Sequence, residues 1–320
     1  MDYTAYFINY LNQQQIGKDP ETLYEPIRYI LSLGGKRIRP VLTLMACDIF
    51  EADIDKALPA AMAVEVFHNF SLIHDDIMDK APLRRGKQTV HEKWDLNTGI
   101  LSGDAMLILA YQYFEKYDPI VFSELAKLFS KTALEVCEGQ QWDIDFETRD
   151  DVSIEQYLKM IEYKTAVLVG AALQMGGIVA QTSDKNKSDI YQFGVNLGIA
   201  FQLQDDYLDA FGDPETFGKQ VGGDIIENKK TFLYLKAISE GTEQEKEQLL
   251  HLYSVSPRDE QEKIKLIKDI FVSTKSDQKT ILAIAEYTQK AFDVLDHMDI
   301  SLERKAQLKD FGETLMNRIV

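Results

Sequence analysis

The chain is short of cysteine, proline, long apolar runs and positive charge, and each shortage excludes something. Only two cysteines occur in 320 residues, Cys47 and Cys137, both in apolar helical stretches without C-x-x-C spacing. A disulfide framework and a zinc site are therefore both excluded as organising features, and a reducing compartment fits. Prolines number eight, with none between Pro119 and Pro214, so long uninterrupted helices are allowed through that span. No segment reaches the run of about 18 apolar residues that a membrane helix needs; the nearest, Ala166 to Ala180, contains Gln174 and three glycines. The N-terminal MDYTAYFINYLNQQQ carries acidic and polar residues where a signal peptide places a basic region and an apolar core. Lys and Arg total 35 against 52 Asp and Glu, a formal charge of -17, and the basic residues form no long stripe. Nucleic acid and anionic membrane are thus poor partners, and the expected location is cytoplasmic. Any anion this chain binds must be met by local basic clusters or by bound cations.

What is present is helical periodicity. Tyr3, Tyr6, Phe7, Tyr10 and Leu11 recur at helical spacing, and the same period runs through most of the sequence, while strand-type alternation is scarce. No Pro/Gly/Ser-rich linker divides the chain, so residues 1–320 are expected to form one all-α domain, a single large helical bundle. Polar or glycine-rich breaks at 145–151, 182–188, 211–228 and 254–260 read as loops. The third carries Gly212, Gly218, Gly222 and Gly223 and is a candidate lid.

An internal echo directs attention to two acidic clusters. FSLIHDDIMDK holds Asp75, Asp76 and Asp79 in a D-D-x-x-D pattern, and FQLQDDYLDAF repeats it with Asp205, Asp206 and Asp209. In a helix, residues four apart share a face, so each cluster presents two carboxylates about one turn apart. They repel unless a cation lies between them. Hard oxygen donors on a rigid helix suit Mg²⁺, which takes one or two carboxylates and completes its shell with water and phosphate oxygens. A single such cluster in so acidic a chain would equally suit a solvated face; two that follow apolar stretches and lack alternating basic partners suit it less. Asp150 and Asp151 form a D-D pair with no acid four residues on, and are expected to be an ordinary polar turn.

Basic groups flank both clusters. SLGGKRIRP sets Lys36, Arg37 and Arg39 after a pair of glycines, and PLRRGKQTVH places the adjacent Arg84 and Arg85 just after the first cluster. Lys36 and Arg39, three apart, would point the same way if both were helical, and basic side chains beside a helix start make an anion site. FGKQVGGDIIENKK adds Lys219 and Lys229 after the second cluster, and in EYKTAVL Lys164 interrupts an apolar run, where burial would be costly without an anion.

GGKRIRP, HDDIMDKAPLRRG, EGQQWD, EYKT, FQLQDDYLD and GKQVGGDIIENKK, in this order over roughly residues 34 to 230, resemble the trans-polyprenyl diphosphate synthase family, which makes farnesyl, geranylgeranyl and longer diphosphates. The resemblance implies the all-α isoprenoid synthase fold, normally a homodimer, with the two clusters facing a central cavity. It implies that isopentenyl diphosphate is condensed with an allylic diphosphate held by three Mg²⁺ ions, with Asp75, Asp79 and Asp205 as metal ligands and Asp76 and Asp209 in support. It assigns Arg84, Lys164, Lys219 and Lys229 to the allylic diphosphate, and Lys36, Arg39, His68 and Arg85 to isopentenyl diphosphate. Gln140, Thr165 and Gln202 match polar positions lining the cavity. His68 lies two helical turns before Asp75, which agrees with that assignment.

Product length is expected to be set on the helix that ends in Asp75, at about 1.5 Å of rise per residue. By resemblance Phe70, with Phe67 behind it and the small Ser71 beside it, forms the floor of a tunnel for geranylgeranyl diphosphate; farnesyl diphosphate is the alternative product. Ideal helical angles put Ser71 under Asp75 and Phe70 well round the helix, so Phe67 and Phe70 also fit as plain core aromatics. The first cluster lacks the two-residue insertion of usual bacterial farnesyl synthases, and the chain ends in NRIV rather than a basic tail. A class I terpene cyclase and a non-catalytic synthase subunit are the rival readings. The cyclase needs no second anion pocket, and the intact clusters count against the subunit.

Overall fold

In the computed structural model, residues 1–213, 221–255 and 260–317 are described; Lys219, much of the expected lid and the last three residues of NRIV lie outside them. The chain is all-α, as its periodicity predicts. Among the described residues the only strands are β1 (Leu83–Arg84) and β2 (Lys87–Gln88), paired antiparallel. Arg85 and Gly86 between them both have positive φ, 54° and 74°, the backbone of a two-residue primed hairpin turn.

Contacts divide the chain into two compact units, and the helices Pro119–Glu147, Val167–Val179 and Asp184–Phe211 each have residues in both. The first unit, Met1–Ser130 with Ala171–Ser188, contains α1 (Tyr3–Gln13), α2 (Glu21–Ser32), α3 (Ile38–Ile49), α4 (Leu58–Met78), α5 (Val90–Lys93), α6 (Leu96–Phe114) and the start of α7 (Pro119–Glu147). It is built around α4, whose LPAAMAVEVFHNF run is buried on nearly every side, the mark of a central helix. Gly99 and Gly103 on α6 lie against the Ile77 and His74 side chains of α4, where a Cβ would collide. These small residues let the two helices approach at the level of the first aspartate cluster. The N-terminal stripe behaves as its spacing predicts: Tyr3 and Phe7 are buried, and the Tyr3 hydroxyl donates to Asp48 at 2.6 Å.

The second unit, Lys131–Gly170 with Asp189–Val320, holds the rest of α7, α8 (Ile154–Ile161), most of α10 (Asp184–Phe211), α11 (Gly223–Ile226), α12 (Phe232–Glu240), α13 (Glu243–Ser254), α14 (Glu260–Ser273), α15 (Ser276–His297) and α16 (Leu302–Met316). Its core gathers Phe146, Tyr157, Leu203, Phe232, Ile267, Phe271 and Ile284. Between α8 and α9 (Val167–Val179), residues Glu162–Ala166 form a π-helical turn, so the EYKT motif sits on a local distortion of the kind that recurs at functional sites. Two glycines make room for it. A Cβ on Gly139 of α7 would strike the backbone of Lys164, and one on Gly198 of α10 would come within 2.7 Å of the Ala166 Cα.

The expected loop at 211–228 contains the short α11, and two further expected loops are partly helical. Residues 145–147 continue α7, and 184–188 open α10, whose first turn is capped by the Ser183 hydroxyl accepting from the Asn186 amide at 3.2 Å. Polar residues alone do not end a helix when neither Gly nor Pro is among them, and a serine ahead of them starts one. No helix among the described residues is long and apolar enough to cross a membrane.

Candidate active site

In each aspartate cluster the middle carboxylate turns inward and the outer two do not. Asp76 is 1% exposed and Asp206 7%, whereas Asp75, Asp205 and Asp209 are half-buried and Asp79 is exposed. Asp76 receives the Arg84 Nε–H on both oxygens at 2.8 Å, and an Arg84 terminal nitrogen reaches it at 2.7 Å and Asp75 at 3.7 Å. Burial raises the Asp76 pKa against the pull of Arg84. Among the described residues Asp206 has no such cation. The Tyr157 hydroxyl donates to one of its oxygens and Gln202 Nε2 to the other, at 2.8 Å, and burial first, then the nearby Asp224, lifts its pKa to about 8.

Both clusters stand at the C-terminal ends of long helices. Asp75 and Asp79 close α4, linked by the Asp79 amide donating to the Asp75 carbonyl at 2.9 Å, and Asp205 to Asp209 occupy the last turns of α10. Neither helix has a basic residue in its last turn. The helix dipole disfavours carboxylates there by about 0.3–1 kcal/mol each, so the arrangement does not serve stability and calls for a cation. Among the described residues no three His, Cys, Asp or Glu side chains gather closely enough to hold a metal ion by themselves. Carboxylate oxygens on rigid helices fit magnesium, which takes few protein carboxylates and relies on water and phosphate oxygens.

In the first unit the cationic groups surround His68. Arg39 approaches the ring Nε2 at 3.2 Å, while Arg37 is buried against Glu65 and the Leu31 carbonyl, and Glu65 also accepts from Asn69 at 2.9 Å. Burial, then the positive field of Arg39, Arg85, Arg84 and Arg37, holds the imidazole well below its usual pKa. The neutral ring thus accepts from Arg39. Arg39 itself is pushed down to about 10 by burial, and its Nε is buried without a partner. An under-satisfied, desolvated guanidinium beside a neutral histidine is prepared to receive an anion. Gly34 and Gly35 have φ of 81° and 113°, and the Arg85 guanidinium lies 2.7 Å from where a Gly35 Cβ would stand, donating to the Gly34 carbonyl. The glycine pair is thus the seat of Arg85. Lys36 departs from its expected geometry: it is exposed and lies ahead of α3, with Arg37 between them in the left-handed region at φ 50°. Its helical spacing to Arg39 does not apply, because the chain turns before the helix begins.

In the second unit an open pocket with a cavity volume of about 100 Å³ brings together Lys164, Thr165, Gln202, Asp206, Asp224 and Lys229. The π turn aims Lys164 at Asp143, 2.5 Å away, and Thr165 Oγ1 donates to Gln202 Oε1 at 3.0 Å. Lys229 lies 2.9 Å from Glu227 and 3.7 Å from Asp224; burial alone would lower its pKa, but these two acids raise it. Asp209 binds the backbone instead. Its carbonyl accepts from the Gly222 amide at 2.6 Å and its carboxylate from the Asp224 amide at 2.9 Å, which ties the start of α11 to α10. Gln140 is half-buried on α7 and is not among the residues lining the pocket.

Sequence reasoning missed Tyr157, Asp143, Asp224 and the Arg37–Glu65 pair. Asp143 and Asp224 stood within motifs and lacked only an assigned role, whereas Tyr157 looked like any aromatic on an amphipathic helix. Asp150, read as part of a polar turn, accepts from Lys230 at 3.0 Å.

Residues 20–270 match the model of the polyprenyl synthetase family. The chain is 41% identical over 226 residues to the geranylgeranyl diphosphate synthase of Methanosarcina mazei, 70% of each chain being covered. A solved geranylgeranyl pyrophosphate synthase superimposes with a TM-score of 0.96 at 54% identity, covering 99% of this chain and 98% of that one. A geranylgeranyl pyrophosphate synthase from Corynebacterium glutamicum, solved with isoprenyl diphosphate and magnesium, does so at 0.85 and 27% identity, covering 99% and 97%. The chain belongs to the polyprenyl synthetase family and is a short-chain trans-prenyltransferase.

Proposed function

We propose that this enzyme condenses isopentenyl diphosphate with an allylic diphosphate and releases mainly geranylgeranyl diphosphate, with farnesyl diphosphate as the alternative product. The observation that carries the reading is the repeated one: two aspartate clusters at the C-terminal ends of α4 and α10, each with its middle carboxylate buried and its outer ones more exposed. Asp75, Asp79 and Asp205 would hold magnesium, three ions in all, and Lys164, Lys229 and Lys219 would meet the allylic diphosphate, with Arg84 held ready by Asp76. Magnesium, when bound, neutralises the charge that collects on the departing diphosphate. Thr165 and Gln202 orient that group, and the surrounding lysines stabilise it as the allylic C–O bond ionises. The double bond of isopentenyl diphosphate, anchored by Arg39, Arg85, Lys36 and His68, then attacks the allylic cation, and transfer of a proton to the released diphosphate gives the lengthened product.

A terpene cyclase has no use for the second anion site that Arg39 and His68 form, which favours the synthase. Product length would be set by Phe70, half-buried with its ring 4.8 Å from His74, and by Phe67 behind it, 5.4 Å away. Phe67 is 1% exposed and also meets Phe129 at 5.0 Å, so it acts as a core aromatic as well as a floor. Ser71, the small residue beside Phe70, donates to the His68 carbonyl at 2.8 Å. Leu101 and Ile108, on one face of α6, are 59% and 60% exposed, and Ile120 at the start of α7 is 73% exposed. Apolar surface on that scale favours a homodimer in which a second copy covers α6. A cytoplasmic location fits the cysteine usage. The test is mass spectrometry of products formed from isopentenyl diphosphate with five-, ten- and fifteen-carbon starters, with and without chelator. Geranylgeranyl diphosphate formed only with metal is the expected result; no product from any starter refutes the reading and leaves the non-catalytic subunit.

A further inference from the structure

Tyr157 belongs to none of the sequence motifs, yet it is among the largest fully buried side chains in the protein, at 2% exposure. Its ring packs 6.2 Å from that of Phe232 in the core of the second unit. A phenylalanine would fill that volume equally well, and a buried hydroxyl left unbonded costs about 1–3 kcal/mol. The hydroxyl is therefore explained by its partner rather than by packing. That partner is one oxygen of Asp206; the other oxygen accepts from Gln202 at 2.8 Å, and Gln202 accepts from Thr165 at 3.0 Å. The bonded series starts on α8, crosses α10 beside Asp205 and returns to the π turn beside Lys164. All four of its members line the same pocket.

We infer that Tyr157 is a positioning residue for the diphosphate site: its hydroxyl fixes Asp206 and, through Gln202 and Thr165, the π turn that carries Lys164. This rests on the pocket being the allylic diphosphate site. A π turn has no regular ladder of i to i−4 hydrogen bonds to hold it, so side-chain bonds of this kind supply the rigidity that helix geometry does not. Burial first, and Asp206 next to it, push the phenol well above its usual pKa, so it keeps its proton and donates.

The test is Tyr157→Phe, which removes one oxygen and preserves the ring. Each substrate and magnesium are titrated separately in steady-state assays, and magnesium with inorganic diphosphate is titrated by calorimetry. Loss of one hydrogen bond to a carboxylate is expected to lower kcat about ten- to hundredfold and to weaken diphosphate binding about tenfold. The KM for isopentenyl diphosphate should stay within about twofold, because its anchors lie elsewhere, and the melting temperature within a few degrees. Gln202→Leu cuts the same series from the other side, and the double variant should be no worse than the poorer single one. Should Tyr157→Phe not fold, Asp206→Leu decides, since it takes away the carboxylate that the Tyr157 hydroxyl holds and must reproduce the selective loss. Kinetic constants and diphosphate binding within twofold of normal overturn the positioning role while the proposed activity stands. A normal chain that neither turns over nor binds magnesium and diphosphate overturns that activity and this inference together.

Discussion

The two aspartate clusters share a spacing and a place at the end of a helix, but they are held in different ways. In the first unit the buried Asp76 is answered by a guanidinium, Arg84, in a bidentate pair. In the second, the buried Asp206 is answered by a phenol and an amide, and burial lifts its pKa to about 8. The same D-D-x-x-D therefore folds into two electrostatic situations, one balanced within the protein and one not. What decides between them is the neighbouring element: a hairpin that returns Arg84 to its own cluster, or a helix that brings Tyr157 from another part of the chain.

The sharpest break of the comparison is to remove outward carboxylates. Asp75→Ala and Asp205→Ala are each expected to cut turnover on the order of 10²–10³-fold with little change in melting temperature, and excess chelator should abolish turnover in the unmodified enzyme. Near-normal activity in any of these would show that the two ends do not share a cation-binding role. Next come the basic groups. Arg39→Ala should raise the KM for isopentenyl diphosphate about ten- to hundredfold, the loss of a charged hydrogen bond, and leave the allylic KM nearly unchanged; Lys229→Ala should do the reverse. Equal effects on both substrates would dissolve the division of labour.

The inward carboxylates should also differ in stability. Asp76→Asn leaves Arg84 without its buried partner and is expected to lower unfolding free energy by about 3–5 kcal/mol. Asp206→Asn keeps groups that a phenol and an amide can still bond, so its loss should be only about 1 kcal/mol. Denaturant titration of the two variants reverses the comparison if the order comes out the other way. A pH series sharpens it further. His68 is held below its usual pKa in the folded state, so below about pH 6.5 the unfolded chain takes up a proton that the folded one refuses, and stability falls with acid by up to about 1.4 kcal/mol per pH unit. His68→Gln should flatten that part of the curve; an unchanged slope would place the acid sensitivity in another group. The smallest effect is on product length. Phe70→Ala should add one or two five-carbon units and Phe67→Ala should extend the products further, whereas second-unit variants such as Lys229→Ala should leave the distribution alone. An unaltered distribution in the Phe67/Phe70 double variant would show that the tail is stopped by other residues.

Much of this was determined by local sequence. Helical period, scarce proline and the repeated aspartates specify an all-α chain with carboxylates a turn apart, because those features act within one helix and need no partner. The glycine pair before Lys36, the adjacent Arg84 and Arg85, and a lysine inside an apolar run mark anion-binding groups for the same reason. What local pattern did not carry was pairing between elements. Tyr157 on α8 reads as a core aromatic until the fold lays it against Asp206 of α10, and Glu65 reads as an isolated acid in an apolar helix until Arg37 turns back to meet it. Gly139 and Gly198 have helical neighbours on every side in sequence, and only the packed structure shows that each makes room for the π turn under Lys164. Backbone spacing along a helix follows from the chain alone; which side chain meets a buried charge depends on contacts between residues far apart in sequence, and those exist only once the chain has folded.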